Sequence, residues 1–159
     1  MASTDNIKVE IKPTLEQVQA RLAKKREAVT NLRTPMARAA ILLDQWVQKN
    51  FRSEGGKVGS WEPFAKNKNG IPFVEAKNPG RAPAKLLQDT GRLRSSFSPF
   101  ATSKTAGIGS DLPYAKYHHE GTGRLPMRQL LPDKGSALKE VKQAAKEVLS
   151  DYVNEAIKK

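Results

Sequence analysis

The feature that most limits the fold is the stretch from Ser53 to Lys85, where Gly55-Gly56, Asn69-Gly70, Ile71-Pro72, Asn78-Pro79-Gly80 and Pro83 follow in close succession. Glycine loses the most backbone entropy on ordering and proline removes an amide donor, so neither a helix nor a central strand runs through this stretch. Connections beyond about 15 residues are uncommon in compact domains unless they are functional or disordered. The stretch reads as an extended loop or long hairpin that orders only against neighbours in an assembly, or else as a loop mobile throughout. Trp61, Phe64, Ile71 and Phe73 favour the first reading, because such side chains need somewhere to bury.

On either side the pattern is helical. Thr14 is suited to an N-cap, and after it Leu15, Val18, Leu22, Val29 and Leu32 recur at helical spacing, with Arg21, Lys24, Lys25 and Arg26 on the other face. Thr34-Pro35 reads as a second N-cap with proline in the first turn. Met36, Ala39, Ala40, Leu42, Leu43, Trp46, Val47 and Phe51 then make a broad apolar face, the best candidate for the core. Ser136 caps a last helix whose apolar side is Leu138, Val141, Ala145, Val148, Leu149, Tyr152 and Ile157.

The remaining segments are extended or short. Ile7, Val9 and Ile11 alternate with Lys8, Glu10 and Lys12, so residues 1–13 read as an arm with strand period, an edge strand or a donor to a neighbouring subunit's sheet. Leu93–Ala101 and Thr105–Ser110 read as two short strands joined through Thr102-Ser103-Lys104. Pro113 opens a short helix bearing Tyr114, Tyr117 and His118, Gly121-Thr122-Gly123 ends it, and Leu125–Leu131 is extended and bounded by prolines. The expected fold class is therefore α+β, with N-terminal and C-terminal helices packed on a small antiparallel sheet. Residues 14–159 form one domain with a long loop at about 53–85.

Cysteine is absent, which removes disulfides, thiol chemistry and cysteine-based zinc sites. No apolar run approaches the ~20 residues that cross a bilayer, and the start lacks the basic-then-apolar order of a signal peptide, so a cytoplasm-like compartment without membrane contact is expected. The formal net charge is +12, of which +7 falls between Arg52 and Arg128 and +5 between Lys66 and Arg94. So much charge repels itself unless a polyanion or an acidic protein face offsets it. Lys66, Lys68, Lys77, Arg81, Lys85, Arg92 and Arg94 are the candidate contacts to a DNA channel or an acidic partner; the alternative is a merely solvated basic surface.

Two motifs invite a catalytic reading. His118-His119-Glu120 offers metal ligands, but adjacent helical residues point about 100° apart, and the H-x-x-x-H or H-x-x-E spacing is missing. The expectation is one histidine buried beside Tyr114 and hydrogen-bonded, the other on the surface. Asp89-Thr90-Gly91 has the letters of an aspartic-protease loop, but Arg92 and Arg94 would hold Asp89 ionised rather than let a carboxyl pair share a proton. A tight turn with Gly91 at positive φ, feeding a strand from Leu93, is the preferred reading. No enzyme and no cofactor is expected.

The run Leu87-Gln88-Asp89-Thr90-Gly91-Arg92-Leu93-Arg94-Ser95-Ser96, followed by Tyr114-Ala115-Lys116-Tyr117-His118-His119-Glu120-Gly121, resembles the phage virion morphogenesis family, also called tail completion proteins. That family shows L-x-D-T-G-x-L-x-x-S, a short hairpin, and then Y-A-x-x-H-x-x-G. Ser60-Trp61-Glu62-Pro63-Phe64, Gly109 and Leu125-Pro126-Met127-Arg128-Gln129-Leu130-Leu131 agree in order, so the resemblance covers roughly residues 60–131, and the first 55 residues lie outside it. Glu120 and the run from Met127 to Leu131 depart from the family's usual pattern, which leaves the conformation of residues 120–131 open.

The resemblance implies a structural protein of the phage neck or tail terminus, in a ring, commonly sixfold, that joins or completes the tail around the DNA channel. Its partners would be further copies of itself, connector and neck proteins, the tail tube or terminator protein, and DNA held without sequence preference. It would sit in the virion at the head–tail junction and in the host cytoplasm during assembly. The matching positions, expected as scaffold, are Trp61, Asp89, Thr90, Gly91, Leu93, Ser96, Gly109, Tyr114, Ala115, His118, Gly121, Pro126 and Arg128. Two other readings compete with it. A free-standing basic DNA-binding protein would need a basic, base-reading helix that the sequence does not offer. A small metal-dependent hydrolase would need ligands brought in from far along the chain.

Overall fold

The computed structural model describes residues 14–72 and 85–158. The N-terminal arm lies outside these residues, as do Phe73, Lys77 and Arg81.

Helix α1, Leu15–Thr30, opens on a complete capping box: the Thr14 hydroxyl accepts from the Gln17 amide, and the Gln17 side chain accepts from the Thr14 amide. Its apolar stripe does not join the core. Leu15, Leu22 and Val29 remain 73%, 58% and 56% exposed although the helix lies along α5, Gly135–Lys158. Helix α2, Arg33–Arg52, and α5 pack on one another, and α1 runs beside α5 with these side chains left exposed.

Helix α2 begins two residues earlier than its sequence suggests. Leu32 occupies the cap position, the Asn31 side chain accepts from the Arg33 amide at 3.2 Å, and Pro35 falls within the first turn, where its missing donor costs nothing. Trp46, Val47, Asn50 and Phe51 form the buried side. Phe51 is the hub, with its ring edge-on to Trp61 at 5.3 Å and tilted against Phe97 at 5.8 Å.

The Gly- and Pro-rich connection is partly built on its own chain, contrary to the expectation that it orders only against neighbours. The Gly55 carbonyl accepts from Val58 and Ser60 at 2.8 Å, and the Trp61 amide donates to Glu54 at 2.8 Å, which turns the chain straight into the core. Lys66 and Pro72 bridge across a small turn, inside which the Asn67 side chain accepts from the amides of Asn69 and Ile71. On the return, the Glu54 carboxylate accepts from the buried Leu86 amide at 2.7 Å and the Gln88 side chain donates to the Phe51 carbonyl. Two short local motifs and two side-chain clamps thus hold the described parts of the connection, residues 53–72 and 85–88.

Gly91 takes φ +73°, as a tight turn requires, but the chain continues into a helical turn, α3, Arg92–Ser95, and not into a strand from Leu93. Leu93 in this turn and Phe97 just after it are both buried in the core. Strands β1, Phe97–Ala101, and β2, Ala106–Ser110, then pair antiparallel with Phe97 opposite Ser110 and Pro99 opposite Ile108. The hairpin rests on α2. Helix α4, Pro113–Glu120, has proline in its first turn and ends at Gly121, and the extended run beyond it leads to α5, which starts at Gly135, one residue before the expected Ser136 cap. The architecture is α+β: helices over a two-stranded antiparallel sheet.

Candidate functional site

The turn before α3 and the helix α4 meet. Leu87, Asp89, Thr90, Gly91, Arg92, Leu93, Tyr114 and His118 line one small cleft of about 160 Å³, so both sequence motifs form a single place in the fold. Thr90 receives the Arg92 amide at 3.3 Å, and Leu93 is buried beneath the turn. Tyr114 and His118, one helical turn apart, stand edge-on with ring centres 6.2 Å apart. Burial pushes the His118 pKa below its ordinary value, and the nearby Arg128 charge pushes it the same way; its Nδ1 has no hydrogen-bond partner among the described residues.

The two histidines divide in a way their adjacency does not reveal. The hydrogen-bonded ring is His119, not His118. Its Nδ1 accepts from the amides of Leu130 at 3.0 Å and Leu131 at 3.4 Å, which fixes the proton on Nε2, and Nε2 faces the Asp133 carboxylate at 2.9 Å. Burial raises the Asp133 pKa, but the hydrogen bond from His119, with smaller contributions from its own backbone and Lys134, outweighs that and holds it below the usual carboxylate value. His119 lines a separate cleft of about 440 Å³ with Phe97, Asp111, Leu112, Lys116, Glu120 and Leu130.

A strap formed by residues 126–133 locks these parts to α2. The Arg128 amide donates to the His118 carbonyl at 2.8 Å, closing the end of α4. The Arg128 guanidinium is buried and donates to the carbonyls of Glu62 at 3.0 Å and Pro63 at 3.4 Å. Burial disfavours its charge, while the negative charge of Glu62 supports it. The Gln129 carbonyl accepts from the Asn50 side chain at 2.9 Å and the Trp61 indole at 3.0 Å. Gly121 permits the return: φ is +77°, and a Cβ there would stand 2.9 Å from the Met127 amide. Pro126 lies at the head of this strap, outside any helix or strand and half-buried.

Ser96 and Gly109 belong to the hairpin. Ser96 donates to the Leu93 carbonyl at 2.8 Å, so the 2.6 Å contact between Ser96 and Ser110 hydroxyls takes its proton from Ser110, which in turn accepts from the Leu112 amide at 3.2 Å. One hydroxyl chain therefore ties α3, both strands and the entry to α4. Gly109 faces open space, and Ala115 is the buried residue of α4.

Of the basic set, Lys66, Lys68, Lys85 and Arg92 are exposed, whereas Arg94 is half-buried with its Nε on the Gln48 side chain at 2.6 Å. Lys77 and Arg81 lie outside the described residues. Sequence reasoning missed Asn50, His119, Gln129 and Glu54. Asn50 carried a readable signal, a polar residue three and four positions beyond Val47 and Trp46 on the apolar face. His119 and Gln129 carried none, since their partners are backbone groups elsewhere in the chain. Among the described residues no group of three His, Cys, Asp or Glu side chains could hold a metal, and no helix is long and apolar enough to cross a membrane.

The polar groups of this region serve as braces: hydroxyls on backbone, an imidazole on two amides, a guanidinium on two carbonyls. The D-T-G turn and the Y-A-x-x-H helix that carry this bracing are the parts in which the chain resembles phage virion assembly proteins. A model of the phage virion morphogenesis family matches residues 13–157, and the protein belongs to that family. The match also takes in α1 and α2, which the motif resemblance had left out. Comparison with curated proteins and with solved structures gives no match.

Proposed function

We propose that the protein is a structural, non-catalytic part of the phage neck or tail terminus, whose copies close into a ring, sixfold in the simplest case, that joins or completes the tail around the DNA channel. The observation that carries this reading, beside family membership, is α1: a capped helix of 16 residues whose apolar stripe is left exposed among the described residues. Leaving such a stripe wet is unfavourable by about 25 cal/mol per Å² of apolar surface, and repeated subunit contacts are the ready way to cover it. The exposed Phe100 on the hairpin and the exposed Lys66, Lys68, Lys85 and Arg92 supply further surface for neck proteins, for the tail tube or terminator protein, or for phosphate in the channel, where contact must be indifferent to base sequence. The working location is the head–tail junction of the virion, after assembly in the host cytoplasm.

The test is genetic and structural. Particles produced without this protein should appear in the electron microscope as filled heads and finished tails that fail to join, and the purified chain should run as a ring-sized species in native mass spectrometry. Normal infectious particles would rule the proposal out. A monomer that binds DNA with steep salt dependence would point instead to a free-standing DNA-binding protein.

A further inference from the structure

We infer that the exposed stripe of α1 docks on the C-terminal half of α5 of a second copy. The inference rests on the ring reading and names the contact that builds it.

The stripe has the form of a seam rather than a broad face. Leu15, Val18, Leu22 and Val29 fall at the alternating three- and four-residue spacing of coiled-coil core positions, with Lys25 and Leu32 completing the series. At about 100° per residue, Arg21 and Arg26 border this seam on its two sides, while Glu16 and Glu27 lie around the back. Every described α1 side chain except Lys25 is exposed, so contact with α5 of the same chain does not cover the seam.

The flanking charge selects the occupant. Two α1 helices facing each other would oppose arginine to arginine and seat Lys25 in the interface, which disfavours a symmetric α1 pair. A partner must offer apolar groups bordered by carboxylates. Within this basic chain α5 does so in its second half: Glu147, Asp151 and Glu155, four apart, form one exposed acidic stripe directly beside the half-buried Val148 and Tyr152. The first half of α5 does not qualify, because Glu140 is already held by Lys57 at 2.6 Å and Lys139 and Lys142 stand near it. DNA is a poor occupant, since phosphates would answer the arginines and leave the leucines wet. A contact between α1 of one copy and α5 of the next uses two different patches per subunit, which is the kind of interface that closes into a ring.

Charge reversal tests this without touching the core, because the residues concerned are exposed. The full chain carrying Arg21→Glu with Arg26→Glu, and a second carrying Glu147→Lys, Asp151→Lys and Glu155→Lys, are each expected to associate at least tenfold more weakly than wild type in native mass spectrometry and sedimentation, with unchanged thermal melting of the monomer. The two variants mixed in equal amounts, or all five changes in one chain, should assemble again, because each altered helix then meets its complement. Assembly insensitive to both reversals would overturn this contact and leave the ring reading standing. Loss of assembly without recovery on mixing would overturn the choice of α5 as occupant. A wild-type chain that stays monomeric at every concentration would overturn the ring reading as well.

Discussion

The side chains of Asn50 and Trp61 donate to one and the same oxygen, the Gln129 carbonyl, at 2.9 and 3.0 Å. One residue comes from the end of α2, the other from the turn after it, and the acceptor belongs to the strap between α4 and α5, so a single oxygen joins three segments at the core. Trp61→Phe keeps an aromatic ring against Phe51 and is expected to cost about 1 kcal/mol, whereas Trp61→Ala, which also opens a cavity, should cost about 3–5 kcal/mol. Combining Trp61→Phe with Asn50→Ala should cost more than the sum of the two, because only the double change leaves the carbonyl without a donor. Urea unfolding of the four proteins measures the coupling, and strict additivity would contradict the shared-acceptor account.

The glycines should rank by geometry. Gly55 and Gly121 combine positive φ with no room, since a Cβ at Gly55 would meet the Trp61 ring at 2.4 Å and one at Gly121 the Met127 backbone at 2.9 Å. Gly91 has positive φ but open space, and Gly109 has open space without positive φ. Alanine is therefore expected to cost about 1–2 kcal/mol at Gly91, more than that at Gly55 and Gly121, and close to nothing at Gly109. Melting temperatures of the four variants give the order.

His119, although it is not the histidine of the family motif, should matter more to stability than His118. His119→Ala leaves the Leu130 and Leu131 amides without their acceptor, a loss of about 1–3 kcal/mol. His118→Ala removes a ring whose Nδ1 makes no hydrogen bond among the described residues. The comparison is read from denaturation midpoints of the two variants.

Acidification should weaken the fold through His118. Its folded pKa lies below the ordinary 6.5, first because of burial and then because of Arg128, so the unfolded chain binds the extra proton more readily. The stabilising contribution of the neutral ring is complete above about pH 6.5 and declines as pH falls below it toward the folded pKa. Unfolding midpoints at pH 7.5 and pH 5.5 should differ in wild type, and His118→Phe should reduce that difference. At lower pH a second loss is expected from Glu140: its hydrogen bond to Lys57, with help from the Lys57 charge, the Trp46 indole and Lys49, outweighs burial and holds its pKa below the usual value, so protonation there removes stability.

What could be read from the chain alone was whatever neighbours in sequence decide. Thr14 as a cap, proline in the first turn of α4, positive φ at Gly91 and a hairpin across Thr102-Ser103-Lys104 each come from a few adjacent residues, because caps and turns are short-range hydrogen-bonding problems. The α+β class came from the same signals, and the family from four motifs in order. Leu93 shows where this fails: it lies in a single helical turn ahead of the hairpin and not in the strand that its neighbours in sequence suggest.

The rest needed three dimensions. Sequence could not tell His119 from His118, since the choice lies with two backbone amides on a distant strap, nor could it foresee that Arg128 would be buried on the carbonyls of Glu62 and Pro63. The stripe of α1 looked like any helix seeking a core; only the tertiary structure reveals that it stays exposed beside α5. Local chemistry determined the elements, because caps and turns are settled within a few residues, and tertiary packing decided which of their faces lie buried, because the partners come from distant segments.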